Sequence, residues 1–197
     1  MRNIILDMGN VLLNYDPAHF VQREDLPPED RALLLKHVFR APEWPMMDAG
    51  AMDEPEFERL VYARIPERLH ATARRLIYGW EDPVEPIPGM AELVKDCKAR
   101  GMGVYLLSNA SRRQPQYWPT IPGHEYFDGT VVSAFERQVK PGPEIYRILL
   151  DRFALDPADC LFVDDMPQNV EGARKVGMQG FLFKGNADEL RDYIFSH

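Results

Sequence analysis

Ile4-Ile5-Leu6-Asp7-Met8-Gly9-Asn10-Val11 is the stretch on which the reading of the fold turns. Three apolar residues run straight into a carboxylate and then into a glycine turn. Near-continuous apolarity is the pattern of a strand buried on both faces of a parallel sheet. An aspartate at the C-terminal end of such a strand stands in the crevice where open α/β sheets bind ligands. Asp-x-Gly is also ordinary turn chemistry, so this segment needs others like it before it carries a function.

Four more short apolar runs follow, and two of them end in polar pairs. Val104-Tyr105-Leu106-Leu107 ends in Ser108-Asn109, and Cys160-Leu161-Phe162-Val163 ends in Asp164-Asp165. Thr130-Val131-Val132-Ser133 and Gly180-Phe181-Leu182-Phe183 complete the expected strands. Helical patterns lie between them. Pro88-Gly89 opens one with Met90, Leu93, Val94 and Cys97 inward, and Gly101 sits where a left-handed residue closes a helix. Lys140-Pro141-Gly142-Pro143 opens another through Ile145, Ile148 and Leu149, and Asn169 to Val176 forms a third, stopped by Gly177. Strands alternating with helices predict a Rossmann-like α/β core, a parallel sheet with helices on both faces and right-handed crossovers. Pro115 to Phe127 carries three prolines and reads as irregular surface chain.

Between the first strand and Pro88 the period is helical throughout. Pro27-Pro28-Glu29-Asp30 is a helix start, followed by an apolar stripe of Leu34, Leu35, Val38 and Phe39. Pro55-Glu56 opens a helix with Phe57, Leu60 and Val61 inward. Glu67 to Trp80 makes another with Leu69, Ala73, Leu76 and Ile77 on one side. This predicts an α-helical cap at residues 16–83 inserted into a core of residues 1–15 and 84–197. Within it, Trp44, Met46 and Met47 read as packing in a helical hairpin that turns at Gly50.

The 197 residues fit one such domain with its insertion; 45% are hydrophobic and 27% charged, as in ordinary soluble proteins. A net charge of -8 argues against nucleic acid as a partner. It also means that an anionic substrate needs local positive groups. Cys97 and Cys160, the only two cysteines, each lie in an apolar-periodic segment, as buried thiols of a reducing cytosol do. No apolar run has the length of a signal-peptide core or a membrane span, so the expectation is a cytoplasmic protein without a membrane partner.

In a parallel sheet all strand C-termini share one edge. Asp7, Ser108-Asn109, Lys140 and Asp164-Asp165 therefore converge. Singly, Ser108 or Asn109 could be a helix cap, Lys140 a solvated lysine, and Asp164-Asp165 turn acids; four such coincidences at one edge are far less probable than one. The residue types suit phosphoryl transfer. A carboxylate can take the phosphoryl group as an acyl phosphate, carboxylates with water suit Mg²⁺, and a hydroxyl, backbone N–H groups and an ammonium can hold the remaining oxygens.

With these residues in order, the chain resembles the haloacid dehalogenase superfamily over essentially its whole length. The branch it resembles is that of phosphatases with a helical cap after the first motif. The matching motifs are Asp7-Met8-Gly9-Asn10-Val11, Ser108-Asn109, Lys140-Pro141 and Asp164-Asp165-Met166-Pro167-Gln168-Asn169. Glu171-Gly172-Ala173-Arg174, Trp44 to Gly50 and Gly101 to Asn109 are similar to this branch as well. The resemblance implies Asp7 as nucleophile and metal ligand, with the Gly9 carbonyl and Asp165 as further Mg²⁺ ligands. Asp164 would stand behind them or bind through water, and Asn169 would orient the metal shell. Ser108 and the Asn109 backbone would hold phosphate, and Lys140 would bridge phosphate and Asp7. The implied activity is Mg²⁺-dependent hydrolysis of a small phosphorylated metabolite, such as a sugar phosphate, through an aspartyl phosphate. One position departs from the pattern: Gly9 stands where these phosphatases carry a second aspartate as general acid and base. Two other readings follow, a catalytically weak binding protein of the same fold and, disfavoured by the paired acids, a 2-haloacid dehalogenase.

Overall fold

The computed structural model describes residues 1–196. Five parallel strands, β1 (Asn3–Leu6), β2 (Gly103–Ser108), β3 (Gly129–Val132), β4 (Cys160–Asp164) and β5 (Gln179–Leu182), form one sheet in the order β3-β2-β1-β4-β5. β1 is central, and the chain crosses it between β3 and β4. Such a reversal of strand order is the place where open α/β sheets bind ligands.

The strands bury alternate residues on opposite faces. On one face Ile4, Leu6, Val104, Leu106, Leu161 and Val163 meet Met90, Leu93, Val94 and Cys97 of α6 (Met90–Ala99) and Leu190 and Ile194 of α11 (Ala187–Ser196). On the other, Ile5, Leu107, Val131 and Phe162 meet Ile145, Tyr146 and Leu149 of α9 (Pro143–Arg152) and Ala173 of α10 (Pro167–Lys175). Each fully buried side chain of this kind stabilises the fold by roughly 1.5–3 kcal/mol. Cys97 and Cys160 are free, buried thiols, as expected.

Helices α1 (Pro17–Gln22), α2 (Pro28–Leu34), α3 (Trp44–Asp48), α4 (Glu54–Tyr62) and α5 (His70–Gly79) lie between β1 and β2. Asp16 caps α1 through Ala18 and His19 N–H, and Asp53 caps α4 through Glu56 N–H. A π-helical turn at Leu35–Phe39 extends α2, and a 3₁₀ turn at Glu67–Leu69 precedes α5, so the single helix expected from Glu67 begins in earnest only at His70. The apolar residues of these helices are contiguous with those of the first sheet face.

Two expectations need correction. Pro115 to Phe127 is not irregular surface chain. It holds α7 (Gln114–Tyr117) and 3₁₀ turns at Trp118–Thr120 and His124–Tyr126, and Tyr117 and Ile121 are buried. Pro115 and Pro119 fall at first-turn positions, where a missing N–H costs nothing, and Pro122 lies in the turn between the two 3₁₀ segments. Met46, expected in the interior, is 40% exposed on the outer side of α3, whereas Met47 is buried.

Gly50 and Gly101 both take left-handed backbone, at φ 66° and 76°. A Cβ on Gly101 would meet nothing within 4 Å, but one on Gly50 would lie 2.2 Å from the Ala134 carbonyl oxygen in α8 (Ser133–Glu136). Gly101→Ala should therefore cost only the backbone strain, ~1–2 kcal/mol. Gly50→Ala should cost at least ~1 kcal/mol more, because the segment after α3 must lift off α8. Urea unfolding of the two variants measures the difference.

Candidate active site

β1 pairs Leu6 with Val163, and Asp7 N–H continues the ladder to the Val163 carbonyl at 2.9 Å. Asp7 and Asp164 therefore leave the sheet side by side. Two carboxylates so placed repel, and the structure answers with one cation. Lys140 Nζ lies 2.7 Å from Asp7 Oδ1 and 2.7 Å from Asp164 Oδ2, with its side chain only 1% exposed.

The lysine is held by the backbone on both sides. Asn109 Oδ1 accepts from Lys140 N–H at 2.9 Å, and Asn109 Nδ2 donates to the Lys140 carbonyl at 3.0 Å. Gly172 lets α10 approach this segment, since a Cβ there would lie 2.8 Å from the Pro141 carbonyl oxygen. The buried Tyr146 hydroxyl donates to the Asn169 carbonyl at 2.7 Å and ties α9 to α10.

Asp164 is fully buried and its oxygens are occupied. Asn169 Nδ2 donates to both, at 3.0 and 3.1 Å, and Met166 N–H donates to one at 2.8 Å. Asp165 is more open. Its Oδ2 accepts from Asn10 Nδ2 at 3.0 Å, while Asn10 Oδ1 accepts from Tyr15 N–H at 2.9 Å. Asn10 has left-handed backbone at φ 55°, which asparagine tolerates better than most residues.

Burial pushes Asp7 up to about 6; the Lys140 ammonium opposes the rise and the Asp164 charge adds to it. Burial also raises Asp165 above the ordinary carboxylate range, against its bond from Asn10. For Lys140 burial disfavours the charge, but Asp7 and Asp164 outweigh it and its pKa stands above the usual value. Asp7, Asp164 and Asp165 each present an oxygen within 4.8 Å of the others. Three carboxylates around one ammonium remain net negative, and an all-oxygen set of this charge fits a hard divalent cation.

Ser108 ends β2 and lines the floor of a cavity of about 380 Å³ with Asp7, Gly9, Asn109, Lys140, Asp165 and Asn169. Its upper walls are Tyr15, Trp44, Met47, Ile77, Trp80 and Tyr117. Every site residue expected from the sequence is thus at or beside one cavity, with Asp164 buried just behind. Sequence reasoning assigned no site role to Asn10, to the Asn109 side-chain clamp, or to the wall from α3 and α5. Trp44 and Met47, read as packing, also face the cavity. Only the spacing of Asn10 from Asp7 gave any prior signal.

Helices from the segment between β1 and β2 are tied down around this cavity. Ser111 Oγ donates to Glu54 Oε1 at 2.6 Å, and Arg113 pairs with Glu81 at 2.8 Å with both side chains 10% exposed. Ser133 Oγ donates to the Asp48 carbonyl at 2.5 Å and accepts from Ala110 N–H at 3.0 Å.

Residues 1–177, which contain every element of this site, match the haloacid dehalogenase-like hydrolase family. The chain belongs to the haloacid dehalogenase-like hydrolases. Among its relatives, the sesquiterpene phosphatase astK of Aspergillus oryzae is 27% identical over 89% of this chain and 86% of its own length. A flavin mononucleotide hydrolase of Arabidopsis thaliana is 32% identical over 53% of this chain and 42% of its own, so the chain spans less than half of that relative. A haloacid dehalogenase family enzyme from Bacteroides thetaiotaomicron, solved as a magnesium complex, superposes with a TM-score of 0.73 at 21% identity over 100% of this chain and 99% of that one. The same Bacteroides enzyme has been solved with magnesium and inorganic phosphate, at a TM-score of 0.69 and 22% identity over 94% of this chain and 95% of that one. At that identity the likeness establishes the fold. Among the described residues of this hydrolase, no helix is long and apolar enough to cross a membrane.

Removing the Lys140 charge leaves Asp7 and Asp164 buried without their cation. Lys140→Met should cost about 3–5 kcal/mol at pH 7. Asp7 already stands above the ordinary carboxylate range and loses in the variant the ammonium that opposes the rise, so the loss is felt as pH rises and relieved as Asp7 protonates. The gap to wild type should narrow between pH 7 and pH 5, as measured by chemical denaturation across that range.

Proposed function

We propose that this hydrolase is a Mg²⁺-dependent phosphomonoesterase acting through an aspartyl phosphate at Asp7. The observation that carries the proposal is the placement of Asp7. Its carboxylate ends the central strand, faces the cavity, and is held by Lys140 within reach of two further carboxylates. Asp7 attacks the phosphorus, and the bond to the ester oxygen breaks. Lys140 fixes Asp7 in line and bridges to a phosphate oxygen, while Ser108 and the backbone at Asn109 take the others. Asp7, Asp165 and the Gly9 carbonyl would hold Mg²⁺, with Asp164 and Asn169 bracing them from behind. The ion, when bound, offsets the charge of the phosphate oxygens. This cluster also weighs against the dehalogenase reading, since halide displacement gives the third carboxylate no task.

Residues 16–83 act as a cap and the rest as the catalytic core. The cap wall sets the substrate class. Asp48 apart, its acidic groups are already engaged, Glu54 with Ser111 and Glu81 with Arg113 of the core. The rest of the wall is aromatic and aliphatic. A small metabolite with a largely apolar organic group fits this wall better than a sugar phosphate, whose hydroxyls would lose water without gaining partners. The activity in the name of the Aspergillus relative has the same chemistry. Two buried thiols suit a cytoplasmic protein.

Each buried methylene contributes roughly 0.8 kcal/mol. Isoprenyl or aryl phosphates should therefore exceed hexose phosphates by at least ~10-fold in kcat/KM. A phosphate-release panel with and without Mg²⁺ checks this, and Asp7→Asn should fall to background with every ester. Retained turnover in Asp7→Asn would refute the nucleophile, and a preference for hexose phosphates would refute the apolar substrate.

A further inference from the structure

Gly9 leaves a phosphomonoesterase of this design without a group to protonate the departing alkoxide. We infer that Asp48, at the end of α3, is that proton donor, because it lines the same cavity as Asp7 and no protein group among the described residues hydrogen-bonds its side chain. The inference rests on the phosphatase reading and assigns a residue that reading lacks.

Asp48 is positioned from both sides of the cavity. The Ser133 hydroxyl joins the Asp48 carbonyl to Ala110 N–H, one residue beyond Asn109. Two residues later Gly50 packs against the Ala134 carbonyl so closely that no Cβ fits. These contacts fix the backbone of Asp48 relative to the phosphate end of the site while leaving its carboxyl free to face substrate. The other acids around the cavity are engaged: Asp7 with Lys140, Asp165 with Asn10, and Glu54 with Ser111.

The groups facing Asp48 keep it protonated. Burial, with the charges of Asp7 and Glu54 adding to it, pushes Asp48 up to about 8. The phenols of Tyr15 and Tyr117 also face it and are themselves raised by burial, with Asp48 contributing. At neutral pH the carboxyl therefore carries a proton to give. As Asp7 forms its bond to phosphorus, the ester P–O bond breaks and the oxygen takes the Asp48 proton. The alcohol leaves, with aspartyl phosphate and an Asp48 carboxylate remaining. That carboxylate takes a proton from the water that attacks phosphorus. Asp7 is released, inorganic phosphate forms and Asp48 is neutral again.

The test compares wild type, Asp48→Asn, Asp48→Glu and Asp48→Asn/Gly9→Asp on phosphate esters graded by leaving-group basicity. The kcat/KM reads the steps up to departure of the alcohol. For Asp48→Asn it should fall ~10²–10⁴-fold with alkyl esters and far less with aryl esters, steepening the dependence on the leaving group. The kcat should fall for both, because water attack loses its base. Asp48→Glu should recover part of the alkyl activity. Gly9→Asp should recover part as well, since a Cβ there makes only ordinary contact with the Tyr15 side chain, Cβ at 3.5 Å and Cγ at 4.0 Å, and the backbone is not left-handed. The alkaline limb of the wild-type pH profile with alkyl esters should vanish in Asp48→Asn. Equal losses of kcat/KM for both ester classes, or no loss of it, would overturn the assignment. Carboxyl ¹³C NMR of the Mg²⁺-loaded protein gives a readout free of turnover: Asp48 should titrate well above the ordinary carboxylate range, and titration near ~4 would overturn it. Absence of all phosphatase turnover would instead refute the reading on which it rests, and the titration would still decide Asp48.

Discussion

The ammonium of Lys140, shared between Asp7 and Asp164, is the interaction on which the rest of the structure depends. Parallel pairing of β1 with β4 forces two carboxylates together at the sheet edge, where like charges repel. One desolvated cation at 2.7 Å from each offsets that repulsion. Much of the surrounding sequence serves to keep that cation in place. Asn109 clamps its backbone, Gly172 admits α10 beside Pro141, and Asn169 and Met166 saturate Asp164 from the far side. Asp7 thereby keeps its outward face for chemistry, and Asp165 stays open enough to meet an ion.

The helical segment completes what the sheet edge begins. Three ties, through Ser111, Arg113 and Ser133, hold it against the loops that follow β2 and β3. Trp80 of this segment packs on aromatic side chains of the core across the cavity roof: it lies 5.0 Å from Tyr15 and 5.7 Å from Tyr117, ring centre to ring centre. Such pairs contribute ~0.5–1.5 kcal/mol beyond their burial. The same wall both stabilises the arrangement and keeps the cavity largely apolar. A carboxyl placed there, as Asp48 is, becomes neutral for the reason that Asp7 without its lysine would.

The sheet and the phosphate end of the site were legible in the sequence because both depend on local pattern. Buried parallel strands are apolar runs, and their C-terminal residues must share an edge, so Asp7, Ser108, Lys140 and Asp164-Asp165 could be brought together without coordinates. What was not legible depends on distant packing. Tryptophan at position 44 has the same local signature whether it fills a core or faces a cavity. The prolines of Pro115 to Phe127 read as loop, although Pro115 and Pro119 sit in first turns and Tyr117 and Ile121 pack inward. The π-turn at Leu35–Phe39 keeps helical spacing and has no sequence mark of its own. Asp48 has no mark in the sequence beyond its place between Trp44 and Gly50, because the isolation of its carboxyl from hydrogen-bonding partners is a property of the folded cavity.

The central claim is that Asp7 carries the phosphoryl group. Acid-quenching the Mg²⁺-loaded enzyme during turnover of an apolar phosphomonoester, followed by peptide mass spectrometry, tests it directly. The account predicts one added phosphoryl group on the peptide from β1, located at Asp7, labile to base and gone once the substrate is exhausted before the quench. Steady turnover with that peptide unmodified at every quench time, or with the phosphoryl group on another residue, would contradict it.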